Sequence, residues 1–459
     1  MRRHVFILAL TFLGWILTGP ARAQDTHYWT EQYGARSMLL SGSVIGSIND
    51  MSAVFYNPGA LGYLKKPELV LSASAYQFRQ LKVKDGGGRG VDLGNSHINL
   101  IPNLVAGTFR FNFQGPNKLA YSVLTRYRFS AELQASKVGE FDLDPDTPGD
   151  EFASGGLTNS INVSEVWVGL TWARGFGKHV GVGVTTFFTA RSQQGQDEFF
   201  LQSQTQTGEF ALLYELDNFD AHMYGFLWKA GLGLNLKPFT AGLTVTTPNV
   251  RVSGTGSATV NESWTGIDID DDGLPDEGFI TDIQTEVKSH HKSPLSVGLG
   301  AGWHFKKSKL HLSAEWFDAT PAHDVLELQP FVSQETGEIR SRSLKDKSDS
   351  VLNFGLGFEH IFSETYTGFL GFNTDNSAYN PQSDVATTTY DIVHLAGGAK
   401  LKLKKVHFTL GARYAWGDQI IKHALVYNPI TGESGLDYFE EGTVEFHQLT
   451  LIIGLTVDI

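Results

Sequence analysis

The chain has 459 residues, 36 Lys and Arg against 49 Asp and Glu, and no cysteine. Its formal charge of −13 at pH 7 argues against nucleic acid as a partner, and the missing thiols exclude a disulfide scaffold or a thiolate metal site. Mean hydropathy is −0.14 and no run of 18 apolar residues follows residue 24, so helical membrane spans are not expected.

The first element is a targeting segment. Arg2 and Arg3 precede an apolar run from Val5 to Leu17, and Ala21-Arg22-Ala23 closes it with small residues at the two positions signal peptidase reads. This pattern predicts a signal peptide over residues 1–23, cut before Gln24. The apolar run is too short for the ~20 residues of a spanning helix. Export removes three arginines, leaving 33 basic residues against 49 acidic and a mature charge of −16.

Residues 24–66 mix small and apolar side chains and precede the first strand signal. Such a segment must bury itself, and short helices folded into a barrel mouth would do so. From 67 to 459 the signal is apolar/polar alternation, the mark of a strand with one face in an apolar medium. It is clearest at the end, where Leu449, Leu451, Ile453, Leu455, Val457 and Ile459 share one face. Residues 119–129 place Leu119, Tyr121, Val123, Thr125, Tyr127 and Phe129 on one face, with Ser122, Arg126 and Arg128 on the other.

Pairs of such segments are joined by very short turns at Gln114-Gly115-Pro116-Asn117, Gly175-Phe176-Gly177-Lys178, Lys237-Pro238, Lys306-Lys307-Ser308, Ser363-Glu364 and Lys404. Six hairpins and one strand at each end give fourteen strands. The expected fold is all-β: a 14-stranded antiparallel transmembrane β-barrel with an N-terminal hatch, or plug. Short turns face the periplasm and long polar segments the exterior, as in bacterial outer-membrane barrels. The long segments are 135–162, 191–221, 252–292, 319–348, 375–388 and 417–442. The 31 Phe, 15 Tyr and 9 Trp suit aromatic girdles at the two membrane surfaces.

One external segment carries a metal-like spacing. Asp268, Asp270, Asp272 and Asp276 stand at loop positions one, three, five and nine, with Gly273 at six, the order in which EF-hand loops offer oxygens to Ca²⁺. Phe279 takes the twelfth position, where a bidentate carboxylate belongs. A calcium-stabilised loop and a solvated acidic tip both fit. His290-His291 point to opposite sides of a strand and are not expected to share a metal. No nucleophile-elbow, zinc-protease or phosphate-loop pattern occurs, so no enzyme and no other cofactor is expected. Arg110, Arg126, Arg128, Glu165, Lys229, Glu315, Glu359 and Arg413 are expected to face the lumen and to pair across it.

The hatch carries the most specific motif. Gly34-Ala35-Arg36, then Asn49-Asp50-Met51-Ser52-Ala53, then Phe55-Tyr56-Asn57-Pro58-Gly59-Ala60 resemble the N-terminal hatch of the FadL-type outer-membrane transporters of long-chain fatty acids and other hydrophobic compounds. Ser293-Pro294-Leu295-Ser296-Val297-Gly298 and Phe354-Gly355-Leu356-Gly357-Phe358-Glu359 also resemble later strands of that family. The resemblance implies a barrel in the bacterial outer membrane, surrounded by its lipid, that passively takes up hydrophobic small molecules. It implies that the substrate path runs past Phe55, Tyr56, Asn57, Pro58 and Gly59. Some members of this group, the PorV-like branch, instead hold secreted proteins for the type IX secretion system, and that role stands as the alternative. Asn57-Pro58 is also an ordinary turn pair, and one turn can serve both purposes.

Overall fold

The computed structural model describes residues 26–64, 68–84, 92–109, 116–141, 150–204, 208–267, 274–385, 389–427 and 434–458. The signal peptide, the boundary at 66/67, Arg110, Gln114, Gly115, Asp268, Asp270 and Asp272 lie outside these residues. In chain order the strands are β1 (Glu68–Lys84), β2 (Leu93–Thr108), β3 (Asn117–Phe141), β4 (Glu151–Phe176), β5 (Val180–Gln204), β6 (Phe210–Leu236), β7 (Phe239–Thr246), β8 (Val250–Ile267), β9 (Asp276–Lys288) and β10 (Ser296–Phe305). There follow β11 (Ser308–Phe317), β12 (Thr320–Leu326), β13 (Phe331–Val332), β14 (Ile339–Arg340), β15 (Leu344–Ser348), β16 (Val351–Ile361), β17 (Tyr366–Asp375), β18 (Ile392–Leu403), β19 (Val406–Tyr427) and β20 (Ser434–Asp458).

Fourteen of these close into one antiparallel barrel, in the order β1 to β7, β10, β11, β16 to β20, with β20 returning to β1. Closure gives the strands neighbours on both sides, the condition for strands to cross a bilayer, with an interruption between β2 and β3 beyond Leu104/Leu124. Exposed outward side chains form the belt that the alternation predicts: Leu299 and Trp303 on β10, Leu312 on β11, Phe354 and Leu356 on β16, Leu410 and Tyr414 on β19, Leu451 and Ile453 on β20. Near the short turns Phe239, Trp303, Phe305, Phe358, His360, Phe362 and Tyr366 follow one another in ring contact, a girdle at the periplasmic surface.

The wall differs greatly in height around the barrel. β3 to β6 have 25, 26, 25 and 27 residues, against 10 in β10, β11 and β17. At ~3.3 Å per residue and a tilt of about 40° the long strands rise roughly 65 Å, more than twice the ~25 Å apolar band. The segments 135–162, 191–221 and 417–442 expected as loops are therefore largely strand, paired well beyond the membrane. The expected loop 252–292 is mostly the hairpin β8/β9, stacked on the upper part of β6 where β7 has ended. Among the described residues, 319–348 and 375–385 fold back as an external cap, pinned by the β12/β15 pair.

A second departure lies in β3. Thr125 pairs with Val166 and Tyr127 with Glu165, so Arg126 is an extra residue. The bulge reverses the alternation: Leu119, Tyr121 and Val123 face lipid, but Tyr127 and Phe129 turn inward and are buried. Arg128, expected in the lumen, is exposed on the outer face.

Residues 26–64 lie inside the barrel and are almost wholly buried. They include helices at Ala35–Leu39 and Ala53–Tyr56 and a 3₁₀ turn at Pro58–Tyr63. Two apolar layers result. One surrounds the hatch, with Met38, Leu39, Val54 and Leu61 against wall residues such as Leu104, Leu124 and Phe187. The other fills the upper lumen, where Tyr127, Phe129, Ile161, Phe219 and Phe446 of the wall meet Val325, Leu326, Leu344 and Val385 of the cap.

Candidate functional site

The hatch is held to the wall in two chemically different ways. Its second half rests on glycines. Asn57 is fully buried; its Oδ1 accepts the Gly59 N–H at 3.1 Å, while its Nδ2 donates to the carbonyls of Ile45 and of Leu232 in β6, both at 3.0 Å. Pro58, with no N–H to leave unpaired, opens the 3₁₀ turn. A Cβ on Gly59 would lie 2.5 Å from the carbonyl oxygen of Gly231 and 2.7 Å from that of Gly181. The hatch backbone thus touches strand backbone directly, and only glycine fits. Tyr56, whose hydroxyl donates to Gln32 Oε1 at 2.5 Å and accepts the Tyr33 N–H at 3.0 Å, ties the turn to the first half.

That first half is bound by charge. Arg36 Nη2 lies 2.5 Å from Glu359 Oε2, which also faces His311 at 3.4 Å. The Asp375 carboxylate accepts Tyr28 N–H at 3.1 Å, Trp29 N–H at 2.8 Å and Thr30 Oγ1–H at 2.6 Å. Glu31 accepts from Asn103 of β2 at 3.0 Å and Gln77 of β1 at 3.4 Å.

Above the hatch Tyr28, Phe55, Trp167 and Phe317 line a cavity of about 60 Å³. Four of its charged residues pair, Glu165–Arg191 at 2.8 Å and Lys229–Glu315 at 3.4 Å, and Arg126 and Lys292 also line it. Lys229 Nζ also sits 4.6 Å from the centre of the Phe55 ring, and Arg126 lies 5.5 Å from that of Trp167. Burial and the Arg191 charge push the His291 imidazole down to about 3, so it enters this site neutral. A dry cavity that admits a benzene ring measures ~150 Å³; this one is closed to such a ring until Phe55 or Tyr28 moves.

Among the described residues the wall loses its ladder between β2 and β3. β2 and β3 pair from Thr108/Ala120 only as far as Leu104/Leu124. Beyond that, Leu93–Asn103 and Thr125–Phe141 share no ladder, although each stays paired on its other side. The cause is local. Pro102 has no N–H to give and prolines belong at strand edges, Asn103 is an extra residue against β1, and Arg126 bulges opposite. The freed carbonyls of β3 are met by side chains: Arg126 O by Tyr33 Oη at 3.2 Å, Arg128 O by Arg79 Nη2 at 3.4 Å, and Glu132 O by Asn95 Nδ2 at 2.8 Å. Thr125 Oγ1 donates to Pro102 O at 2.9 Å. Satisfying a sheet edge in this manner lets it persist without a neighbour strand. Behind it Tyr127 and Phe129 belong to the upper apolar layer.

The structure therefore brings Phe55, Tyr56, Asn57, Pro58 and Gly59 together at the hatch, with Phe55 alone of the five lining the cavity. Of the calcium-spaced residues only Asp276 is described, as the first residue of β9. Among the described residues no group of three or more His, Asp or Glu is placed to hold a metal. His290 and His291 do part, His290 going to Glu327 at 2.7 Å and His291 to the cavity. The pairing expected across the lumen holds for Lys229 with Glu315, whereas Glu165 pairs with Arg191 and Glu359 with Arg36. Glu31, Arg79, Pro102 and Asn103 were not foreseen; a proline within a strand was the available signal.

The closed barrel, its lipid-facing belt and the inward-folded N-terminus define a plugged β-barrel of the bacterial outer membrane. Among solved structures it is similar to the Pseudomonas putida toluene transporter TodX, with a TM-score of 0.59 and 12% identity over 95% of this chain and 100% of that one. A Pseudomonas aeruginosa FadL homologue gives 0.58 and 12% over 96% and 100%, and the CymD monoaromatic hydrocarbon channel 0.55 and 12% over 93% and 97%. The fold is thus that of the FadL-type barrels. No protein-family model matches the sequence, and no curated protein does either.

Proposed function

We propose that the barrel carries small hydrophobic compounds across the outer membrane by passive diffusion, delivering them through its side. The observation that carries this reading is the unpaired stretch between β2 and β3, which opens from the apolar upper lumen toward the bilayer. An apolar solute gains ~25 cal/mol per Å² of surface taken from water, both in the lumen and in the bilayer, so passage between the two needs no aqueous step. The toluene and hydrocarbon channels of the same fold support the solute class.

The chain has no cysteine, so a single introduced thiol can be labelled uniquely. Ile98 is 66% exposed on the unpaired part of β2. A bulky maleimide on Ile98→Cys is expected to cut toluene uptake by cells several-fold, while the same adduct on Gly337→Cys, in the external cap, leaves it unchanged. Equal uptake with both adducts would remove the side route. It would instead favour a second reading, in which the external wall holds a secreted protein. The observation behind that reading is the exposure of Leu274, Phe279, Ile283 and Ile339 above the membrane.

A further inference from the structure

Four of the described periplasmic turns place lysine directly after a side chain that faces lipid. Phe176 precedes Lys178, Leu236 precedes Lys237, Phe305 precedes Lys306 and Lys307, and Leu403 precedes Lys404 and Lys405; all of these residues are exposed. The six lysines form no ion pair among the described residues. Carboxylates stand elsewhere on the rim, at Glu364 in the β16/β17 turn and at Glu68 and Asp458, where β1 meets β20. A chain with a large excess of acid has thus gathered cations along one edge of its lipid-facing belt.

The β4/β5, β6/β7 and β10/β11 turns are neighbours around the rim, because β5 pairs with β6 and β7 with β10. With strands ~4.8 Å apart, successive turns stand roughly 10 Å from one another. Together they carry Lys178, Lys237, Lys306 and Lys307 and no carboxylate. Beside them on the lipid face Phe239, Trp303 and Phe305 follow one another with ring centres 6.4 and 5.0 Å apart. The backbone also yields to lysine here. In the two-residue loops that close β10/β11 and β18/β19, Lys306 and Lys404 take φ of 52° and 53°, a region that glycine enters without strain and lysine does not. Hairpin geometry alone favours glycine or asparagine at such a position, so the charge has a use of its own.

We propose that this arc of the rim is a docking surface for anionic phospholipid headgroups of the inner leaflet, with Lys178, Lys237, Lys306 and Lys307 meeting the phosphates while the aromatic belt meets the acyl chains. Aromatic rings settle at the edge of the hydrocarbon, and a lysine stem can run along apolar surface while its ammonium stands among the headgroups. A cation close to an anionic leaflet is worth about fivefold in affinity. Lipid phosphates lie at that depth along the whole arc, whereas a soluble acidic protein could reach all three turns only by lying against the membrane. The surface is independent of what the barrel carries.

The test titrates the full-length protein in detergent with phosphatidylglycerol or with phosphatidylcholine of the same chains, and reads bound lipid by native mass spectrometry. The unaltered protein is expected to prefer phosphatidylglycerol, and Lys237→Gln/Lys306→Gln/Lys307→Gln to lose about tenfold or more of that preference. Lys137→Gln/Lys288→Gln/Lys345→Gln, which removes the same charge from the external side, should keep it. Added salt should weaken phosphatidylglycerol alone. Lys237→Arg/Lys306→Arg/Lys307→Arg, which keeps the charge, should bind as the unaltered protein does, and heat-modifiable gel mobility shows that each variant is folded. Equal losses in the periplasmic and external Gln variants would overturn the site, since net charge alone would then set the preference. So would displacement of phosphatidylglycerol by inorganic phosphate at equal concentration. Equal binding of the two lipids by the unaltered protein would also overturn it, and would leave the arc to an acidic protein of the periplasm.

Discussion

The carboxamide of Asn57 joins three backbone groups at once, two in the hatch and one in β6. Asn57→Ala leaves buried partners without a bond, at about 1–3 kcal/mol each, but removes nothing from the strand ladder. The expected outcome is a barrel of unchanged gel mobility in which amide exchange over residues 45–63 accelerates by an order of magnitude or more. Unchanged exchange there would make Asn57-Pro58 a turn and nothing further. In the cap, burial pushes the Asp346 carboxyl up to about 7. Because this lies above the unfolded value of about 3.9, the stabilisation comes from the protonated form; it is full at low pH and is lost as pH rises through about 7. His323, with Nε2 3.7 Å from Asp346, is pushed down by burial to about 4 and opposes this as pH falls. Asp346→Asn removes only the first effect. Its gain in protease resistance over residues 319–348, relative to the unaltered protein, is expected to grow from pH 5 to pH 8. A gain that shrinks over that range would mean that the carboxylate is held ionised.

At the scale of elements, the sequence carries the strands where the membrane imposes its own contrast. Leu449 to Val457 alternates because one face meets lipid. Above the membrane the outer face meets water and the inner face is apolar only in places, such as Ile161 and Val163, so the contrast weakens. The stretch Asn159-Ser160-Ile161-Asn162 of β4 and its partner Gln194-Gly195-Gln196-Asp197 of β5 are fully paired strand, yet contain scarcely an apolar period to read. The tall wall was therefore legible only as polar segments of the right length. The bulge at Arg126 was illegible for a different reason: residues 119–129 alternate without interruption, and only the partner strand shows that one residue is extra. The hatch motif had the opposite character. Its residue types were recognisable, but the glycines of β5 and β6 that receive it are unremarkable in a glycine-rich chain.

For the whole molecule, these features combine into a barrel with an apolar upper lumen, a hatch below it and an unpaired stretch in its wall. The apolar layer behind Tyr127 and Phe129 faces the unpaired wall, and the hatch lies beneath it. The external cap closes the top through Val325, Leu326, Leu344 and Val385, so a solute arriving from outside would have to part this layer before it reached the unpaired wall. The short side of the barrel, where β10, β11 and β17 end early, is where the cap crosses. The most direct measurement is a crystal structure of the full-length protein soaked with 4-bromotoluene, located by the anomalous signal of bromine. The prediction is a site inside the barrel beside Tyr127, Phe129 and Ala131, at the level where β2 and β3 are unpaired. Bromine found only in the detergent belt outside the wall, with none within the lumen, would contradict passage through this barrel.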